Sequence, residues 1–363
     1  MKRPMFVSIL TSILAIWSFI SCDKSDDNAS SIDPKFSWEE SASNPNEIIF
    51  KNLSEGDYLY VEWDFGNGKT ISKTTDKLQE PSVHYPVKGE YSVTLTLWGQ
   101  TNQASDTKTT IQTITILNDD ENYEPIEGLI WSDEFDGSSV NMNNWKFETG
   151  DGGWGNQELQ NYTNGDNAHI EDGKLIITAK KVNDNQVAGS YTSTRMVTWG
   201  KQEFTCGRIE IRAKLPSGRG MWPAIWMLGS NIGDAGWPAC GEIDIMEYVG
   251  FEPNQVHGSI HCPASYGATE FTKTLPLENC EEEFNNYGII WTEESIQYYV
   301  NDPENPFYTY APSNKNADNW PFNKPHFIIL NAAVGGTWGG AQGIDNSIFP
   351  QTMEVDYVRV YEL

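Results

Sequence analysis

The chain has 363 residues, 51 of them acidic against 24 basic, and a formal net charge of -27. An acidic surface of this kind repels phosphate backbones, which excludes nucleic acid as a partner and favours an uncharged ligand. Aromatic residues reach 12%, with 14 Trp, a content suited to stacking on flat apolar faces.

The chain opens on Lys2 and Arg3, followed by an apolar run over residues 6–20. This is the pattern of an export signal, too short to serve comfortably as a membrane span. The run ends at Ser21-Cys22. That junction resembles a bacterial lipoprotein box, closing a signal peptide over residues 1–22, which implies that Cys22 is lipidated and becomes the mature N-terminus; an ordinary cleaved signal peptide is the alternative. Asp23, Lys24, Ser25, Asp26 and Asp27 look like the acidic export signal of surface lipoproteins in Bacteroidetes-type bacteria. The expected location is therefore the cell envelope, at the outer-membrane surface through a lipid anchor, or outside the cell. No other segment is long and apolar enough to span a bilayer.

Residues 23–35 are polar and rich in Asp and Ser and read as a flexible tether. Residues 36–117 read as a small all-β unit. Tyr91, Val93, Leu95 and Leu97 alternate with polar residues, the period of a half-buried strand. Gly66-Asn67-Gly68 marks a tight turn. The run Trp63-Asp64-Phe65-Gly66-Asn67-Gly68, then His84-Tyr85 and the strand from Gly89, resembles the PKD immunoglobulin-like module. The resemblance implies a spacer or a weak glycan binder. Residues 118–127, acidic and containing Pro125, read as an inter-domain linker.

Residues 128–363 show little helical periodicity. Short β-branched and aromatic runs recur between Gly, Asn and Pro turns, at 175–178, 208–213, 256–260, 287–291, 327–334 and 355–361. This is the pattern of a large antiparallel β-sandwich, so the whole chain is all-β. Phe327-Ile328-Ile329-Leu330 is apolar on both faces and fits a central strand. Cys206, Cys240, Cys262 and Cys280 would meet oxidising conditions after export, so one or two disulfides are expected. Neither a Cys-x-x-Cys pair nor a His-Glu-x-x-His helix is present, so a zinc site is not expected.

The chemistry concentrates in Glu242-Ile243-Asp244-Ile245-Met246-Glu247. On a strand, Glu242 and Asp244 share one face and Ile243 and Ile245 point to the core. Strict parity would turn Glu247 into the core, where a lone carboxylate costs several kcal/mol. One extra residue at Met246, a β-bulge, returns Glu247 to the acidic face. Three carboxylates on one face shift one another's pKa, a costly arrangement for structure alone. It suits glycoside cleavage, which needs one ionised and one protonated carboxyl across the scissile bond. Upstream, Trp222 and Trp226 share a face if the segment is a strand, and Trp237-Pro238 precedes the acidic run. Indole packs on the C–H face of a pyranose, so these residues outline a glycan groove.

These stretches, together with Trp131-Ser132-Asp133-Glu134-Phe135, Trp154-Gly155-Asn156-Gln157-Glu158, Gly207-Arg208-Ile209-Glu210 and Asn331-Ala332-Ala333-Val334-Gly335-Gly336, resemble glycoside hydrolase family 16 in its laminarinase branch. The resemblance runs in order over nearly all of residues 128–363. It implies a concanavalin-like jelly roll with an open cleft, and a retaining endo-hydrolase of β-1,3-glucan. It places Glu242 as nucleophile, Glu247 as general acid/base and Asp244 as support for the nucleophile. It implies sugar contacts from Trp222, Trp226, Trp237, Asn156, Arg195 and His261. It further implies a structural calcium ion at Glu134, Gly173 and Asp356, and no cofactor for catalysis. A monomer is the default expectation. Mixed-linkage β-1,3-1,4-glucan is the rival substrate, transglycosylation the rival reaction, and a non-catalytic glucan receptor the rival role.

Overall fold

The computed structural model describes residues 32–120 and 126–363. The export segment with Cys22, tether residues 23–31 and linker residues 121–125 lie outside the described residues.

The smaller domain packs a three-stranded sheet (Phe36–Glu40, Glu47–Asn52, Ser82–His84) against a four-stranded one (Tyr60–Asp64, Thr70–Thr74, Gly89–Trp98, Thr107–Ile116). The alternation in its longest run buries Val93, Leu95 and Leu97 completely, against Trp63, Phe50 and Phe65. Gly66 turns the chain with φ +72° directly over Ser92, where any Cβ would strike the backbone. Both ends of the domain reach further than composition indicated. Ile32 packs on the core, and Asp33 exchanges backbone hydrogen bonds with Glu55. At the other end Asn46 Nδ2 donates to the Asn118 carbonyl at 2.9 Å, and Asp120 Oδ2 lies 2.7 Å from His84 Nε2. Polar residues that read as tether and linker are thus used to satisfy groups at the strand ends. The Gly66–Gly68 turn also touches the larger domain: Asn141 Nδ2 donates to the Gly68 carbonyl at 2.6 Å, and Lys69 pairs with Asp136 at 2.7 Å.

The larger domain is the expected antiparallel sandwich. One sheet has seven strands in the order Thr272–Pro276, Gln255–His261, Glu242–Glu247, Met221–Gly229, His326–Val334, Arg195–Val197 and Lys146–Glu148. The other has ten strands and is centred on Gly207–Lys214, Asn285–Trp291 and Gln351–Tyr361. Ile225, Met227, Ile243 and Leu330 from the first sheet meet Ile209, Ile211, Ile289 and Val358 from the second in one core. His326–Val334 is buried along its whole length, as a run apolar on both faces requires. Among the described residues no helix is long and apolar enough to cross a membrane.

The disulfide expectation is overturned: Cys206, Cys240, Cys262 and Cys280 are all free thiols. Cys262 and Cys280 are built into the main core, Cys206 packs at its margin, and Cys240 sits in a separate cluster with Val197, Leu228, Phe327 and Ile329. These cysteines act as small apolar side chains. Burial pushes the Cys240 and Cys280 thiols up to about 11, which keeps them protonated.

The strand Met221–Gly229 is clamped to the loop before Glu242. Gly229 N–H donates to the Gly241 carbonyl at 3.0 Å, and a Cβ on Gly229 would collide with the Cys240 carbonyl oxygen. Gly229→Ala should therefore push the acidic strand from its neighbour and cost about 1–3 kcal/mol by overpacking. Urea unfolding checks this; unchanged stability would mean the clamp has slack.

Candidate active site

The strand Glu242–Glu247 lies between Met221–Gly229 and Gln255–His261 in the middle of the seven-stranded sheet. On the Gln255–His261 side, Glu242 pairs with His261, Asp244 with Ser259 and Glu247 with His257. Ile245 and Met246 together therefore face the single residue Gly258. On the other side Met246 pairs with Ile225 and Asp244 with Trp226, so Ile245 is the residue passed over. The bulge expected at Met246 is real and spans Ile245–Met246, both packed into the core. Its cost is a disturbed ladder, about 1 kcal/mol per lost hydrogen bond. The alternative, a carboxylate facing the core, costs several times that.

The bulge leaves Glu242, Asp244 and Glu247 lining one cavity, together with Asn156, Arg195, Trp222 and Trp226. Each glutamate receives an indole N–H: Trp222 Nε1 donates to Glu247 Oε1 at 3.1 Å, and Trp237 Nε1 to Glu242 Oε2 at 3.0 Å. His261 Nε2 stands 3.1 Å from Asp244 Oδ2 and 3.7 Å from Glu242 Oε1. Trp237 and His261 thus approach Glu242 from outside the cavity that holds the other named residues. Burial pushes all three carboxyls well above their ordinary range. The Asp244 charge adds to this at Glu242 and Glu247, while His261 and the indole donors oppose it. Three groups so coupled cannot all be ionised near neutrality and share their protons.

The walls include residues that sequence reasoning did not single out. Trp154 has φ +49° between Gly153 and Gly155, both also at positive φ, and its indole N–H is tied to the Gly150 carbonyl at 3.1 Å. The Arg195 guanidinium lies 4.9 Å from the Trp154 ring and 4.7 Å from the Trp226 ring, and Arg195 Nε donates to Glu148 at 2.7 Å. Asn156 Nδ2 and Gln160 Nε2 both donate to Glu158, a fourth carboxylate whose pKa burial raises. Trp226 Nε1 donates to Asn331 Oδ1 at 2.7 Å, which fixes the indole over the floor. The glycines around Trp154 were the available signal for an unusual turn. The partners of Asn331, Trp226 and Tyr162, come from other strands and left none, whereas those of Glu158 lie within four residues of it.

The residues expected to hold calcium converge on one stretch of the ten-stranded sheet. Val355 pairs with Leu175 and Val358 with Asp133, which sets Asp356 between the segments carrying Gly173 and Glu134. Their side chains do not form a cation cage. Arg359 grips Glu134 with two hydrogen bonds of 2.9 and 2.8 Å, Arg212 engages Asp356, and Gly173 can offer only its carbonyl. Two guanidiniums on the carboxylates oppose a hard cation that needs six or more oxygens.

Folding forces Asp244 from the ordinary carboxyl range of about 3.9 to about 8. A raised folded-state pKa means stability is lost as pH rises from the unfolded value to the folded one. Asp244→Asn removes this term. Its melting temperature should exceed that of the parent chain by a margin that widens from mildly acidic to mildly alkaline pH. A margin that stays flat or is negative at alkaline pH would contradict the burial penalty on the Asp244 carboxylate.

Comparison with known proteins agrees with this geometry. The sequence model for glycosyl hydrolases family 16 matches residues 155–359, and the PKD domain model matches residues 37–112. A beta-glucanase of Rhodothermus marinus is 46% identical over 246 residues, covering 64% of this chain and 84% of that protein. The crystal structure of the laminarinase from Flavobacterium sp. UMI-01 is 47% identical with a TM-score of 0.61, covering 64% of this chain and all (100%) of that one. The laminarinase catalytic domain of Thermotoga maritima is 43% identical with a TM-score of 0.60, covering 65% of this chain and 98% of that one. By its sequence match and its fold, the chain belongs to glycosyl hydrolases family 16.

Proposed function

We propose that the chain is a retaining endo-β-1,3-glucanase whose nucleophile is Glu242 and whose general acid/base is Glu247. The observation that carries the reading is the pair of glutamates on one strand face, each held by its own indole N–H, with Asp244 between them. Each glutamate has an indole donor, but Glu242 is the one that also has the His261 ring beside it, at 3.7 Å, which suits the ionised partner. It attacks the anomeric carbon and forms a glycosyl ester as the glycosidic bond breaks. Glu247, its pKa raised by burial and by Asp244, carries the proton that the leaving oxygen takes. It then accepts a proton from the water that cleaves the ester. Asp244, 3.1 Å from His261, orients and loads the nucleophile electrostatically without touching the reacting atoms. Trp154, Trp222 and Trp226 offer stacking faces, and Asn156 and Arg195 offer donors for sugar hydroxyls. No catalytic cofactor enters this scheme.

The same reading places the enzyme outside the cytoplasm as a monomer, anchored through Cys22 or released. Its support is the Lys2-Arg3 start, the apolar run over 6–20 and the Ser21-Cys22 junction. Radiolabelled palmitate incorporated in the parent chain and lost in Cys22→Ser would bear out the anchor.

Incubation with laminarin, barley mixed-linkage glucan, cellulose and agarose in parallel tests the substrate. Early release of mixed oligosaccharides from laminarin, and none from cellulose or agarose, is the expected result. Faster release from barley glucan than from laminarin would move the assignment to the mixed-linkage class. Binding to laminarin without any product would indicate a glucan receptor. Glu242→Ala and Glu247→Ala should each reduce turnover by at least ~10³-fold, and near-normal turnover in either would remove that residue from its role. The indole donors set the pH limits. Trp222→Phe deprives ionised Glu247 of a donor, raises its pKa and moves the alkaline limb of kcat/KM to higher pH. Trp237→Phe does the same to Glu242 and moves the acid limb to higher pH. Limbs that stay in place would show that these donors do not tune the pair.

A further inference from the structure

The cavity described above lies on one side of the acidic strand, over Met221–Gly229 and the strands beyond it. An endo-acting enzyme must also hold its chain on the opposite side, toward Gln255–His261 and Thr272–Pro276. Among the described residues of the larger domain Trp237, at 46%, and Tyr266, at 53%, are the only Phe, Trp or Tyr side chains left about half exposed. They touch each other, with ring centroids 5.4 Å apart and planes at 82°. Exposing two large rings in contact costs solvation that burial of either would recover, so a free-standing pair marks a contact surface.

The support under Tyr266 is stiff. It sits in the turn that leaves the end of the Gln255–His261 strand. Cys262 and Ser265 exchange backbone hydrogen bonds of 3.0 Å, Ala264 N–H donates to the Asp318 carbonyl at 2.8 Å, and Ser265 Oγ accepts from Glu270 N–H at 2.9 Å. Trp237 is fixed by its bond to Glu242, and its ring also lies 6.1 Å from that of His261. The two rings form a rigid right-angled corner beside the nucleophile. A flat ribbon of β-1,4-linked sugars can lie on only one wall of such a corner. A β-1,3-linked chain turns from one residue to the next and can present a pyranose face to each wall.

The geometry points to Tyr266 as a sugar-binding residue that, with Trp237, forms a subsite for the part of a β-1,3-glucan on the far side of the scissile bond from the Trp154–Arg195 cavity. This rests on the β-1,3-glucanase reading and adds to it a residue and a side of the cleft. Its test compares kcat/KM on β-1,3-linked glucose trimers and hexamers for the parent chain, Tyr266→Ala and Tyr266→Phe. In the parent chain kcat/KM should rise with length. Tyr266→Ala should shrink that gain about five- to tenfold, chiefly through KM on the hexamer. Tyr266→Phe should retain the gain, because the ring face does the binding. The proposal is overturned if Tyr266→Ala keeps the full gain with length, or if trimer and hexamer fall by the same factor, the mark of a merely structural role. A parent chain inactive on both oligomers would instead overturn the β-1,3-glucanase reading itself.

Discussion

Glu242, Asp244 and Glu247 share six residues of one strand, and their mutual repulsion is the constraint around which the larger domain is arranged. An alternating strand would have separated them, with one carboxylate facing the core. The Ile245–Met246 bulge keeps all three on the cleft side and spends two apolar side chains on the core. The resulting cluster is buried and crowded, so protons are retained that ordinary carboxyls would lose. Each glutamate then receives one indole donor, and the His261 imidazole stands beside Glu242, 3.7 Å away. In the proposed mechanism one glutamate of this proton-sharing cluster acts as nucleophile while another carries a proton.

The surrounding architecture serves this arrangement. Trp222 and Trp226 sit four residues apart on one face of a strand whose other face carries Ile225 and Met227 into the core. The central His326–Val334 strand supplies Asn331 to fix Trp226 and small Ala333 to leave room in the cavity. Glycine permits the closest approaches: Gly229 against Cys240, and Gly336 and Gly339 against Trp222. Tight packing thus holds Trp222 in place, and a hydrogen bond to Asn331 holds Trp226.

Most of this was legible in the sequence because it is local. Period-two alternation located the strand around Leu95, short β-branched and aromatic runs between turns located those around Ile209 and Val358, and the continuous apolar run at 327–330 located a central one. The parity conflict at Glu247 was enough to require a bulge, although it could not say which residue the neighbouring strand passes over. What the sequence left hidden depends on partners from distant strands. Asn331 acquires its place only through Trp226 and Tyr162. Glu134 and Asp356 looked available as ligands until cross-strand arginines engaged them. The four cysteines suggested bridges by composition, yet each is used as an apolar filler in its own part of the core. Asp120 read as linker because nothing local shows that His84 meets it.

The central claim is that Glu242 forms a covalent bond to the sugar. The most direct measurement is incubation with a 2-deoxy-2-fluoro β-1,3-linked glucobiosyl fluoride, which forms the glycosyl ester quickly and hydrolyses it slowly, followed by peptide mapping by mass spectrometry. The account predicts one sugar adduct per chain, on the peptide containing Glu242 and on that residue. An adduct on Asp244 or Glu247, or full turnover of laminarin by a protein that never acquires the adduct, would contradict it.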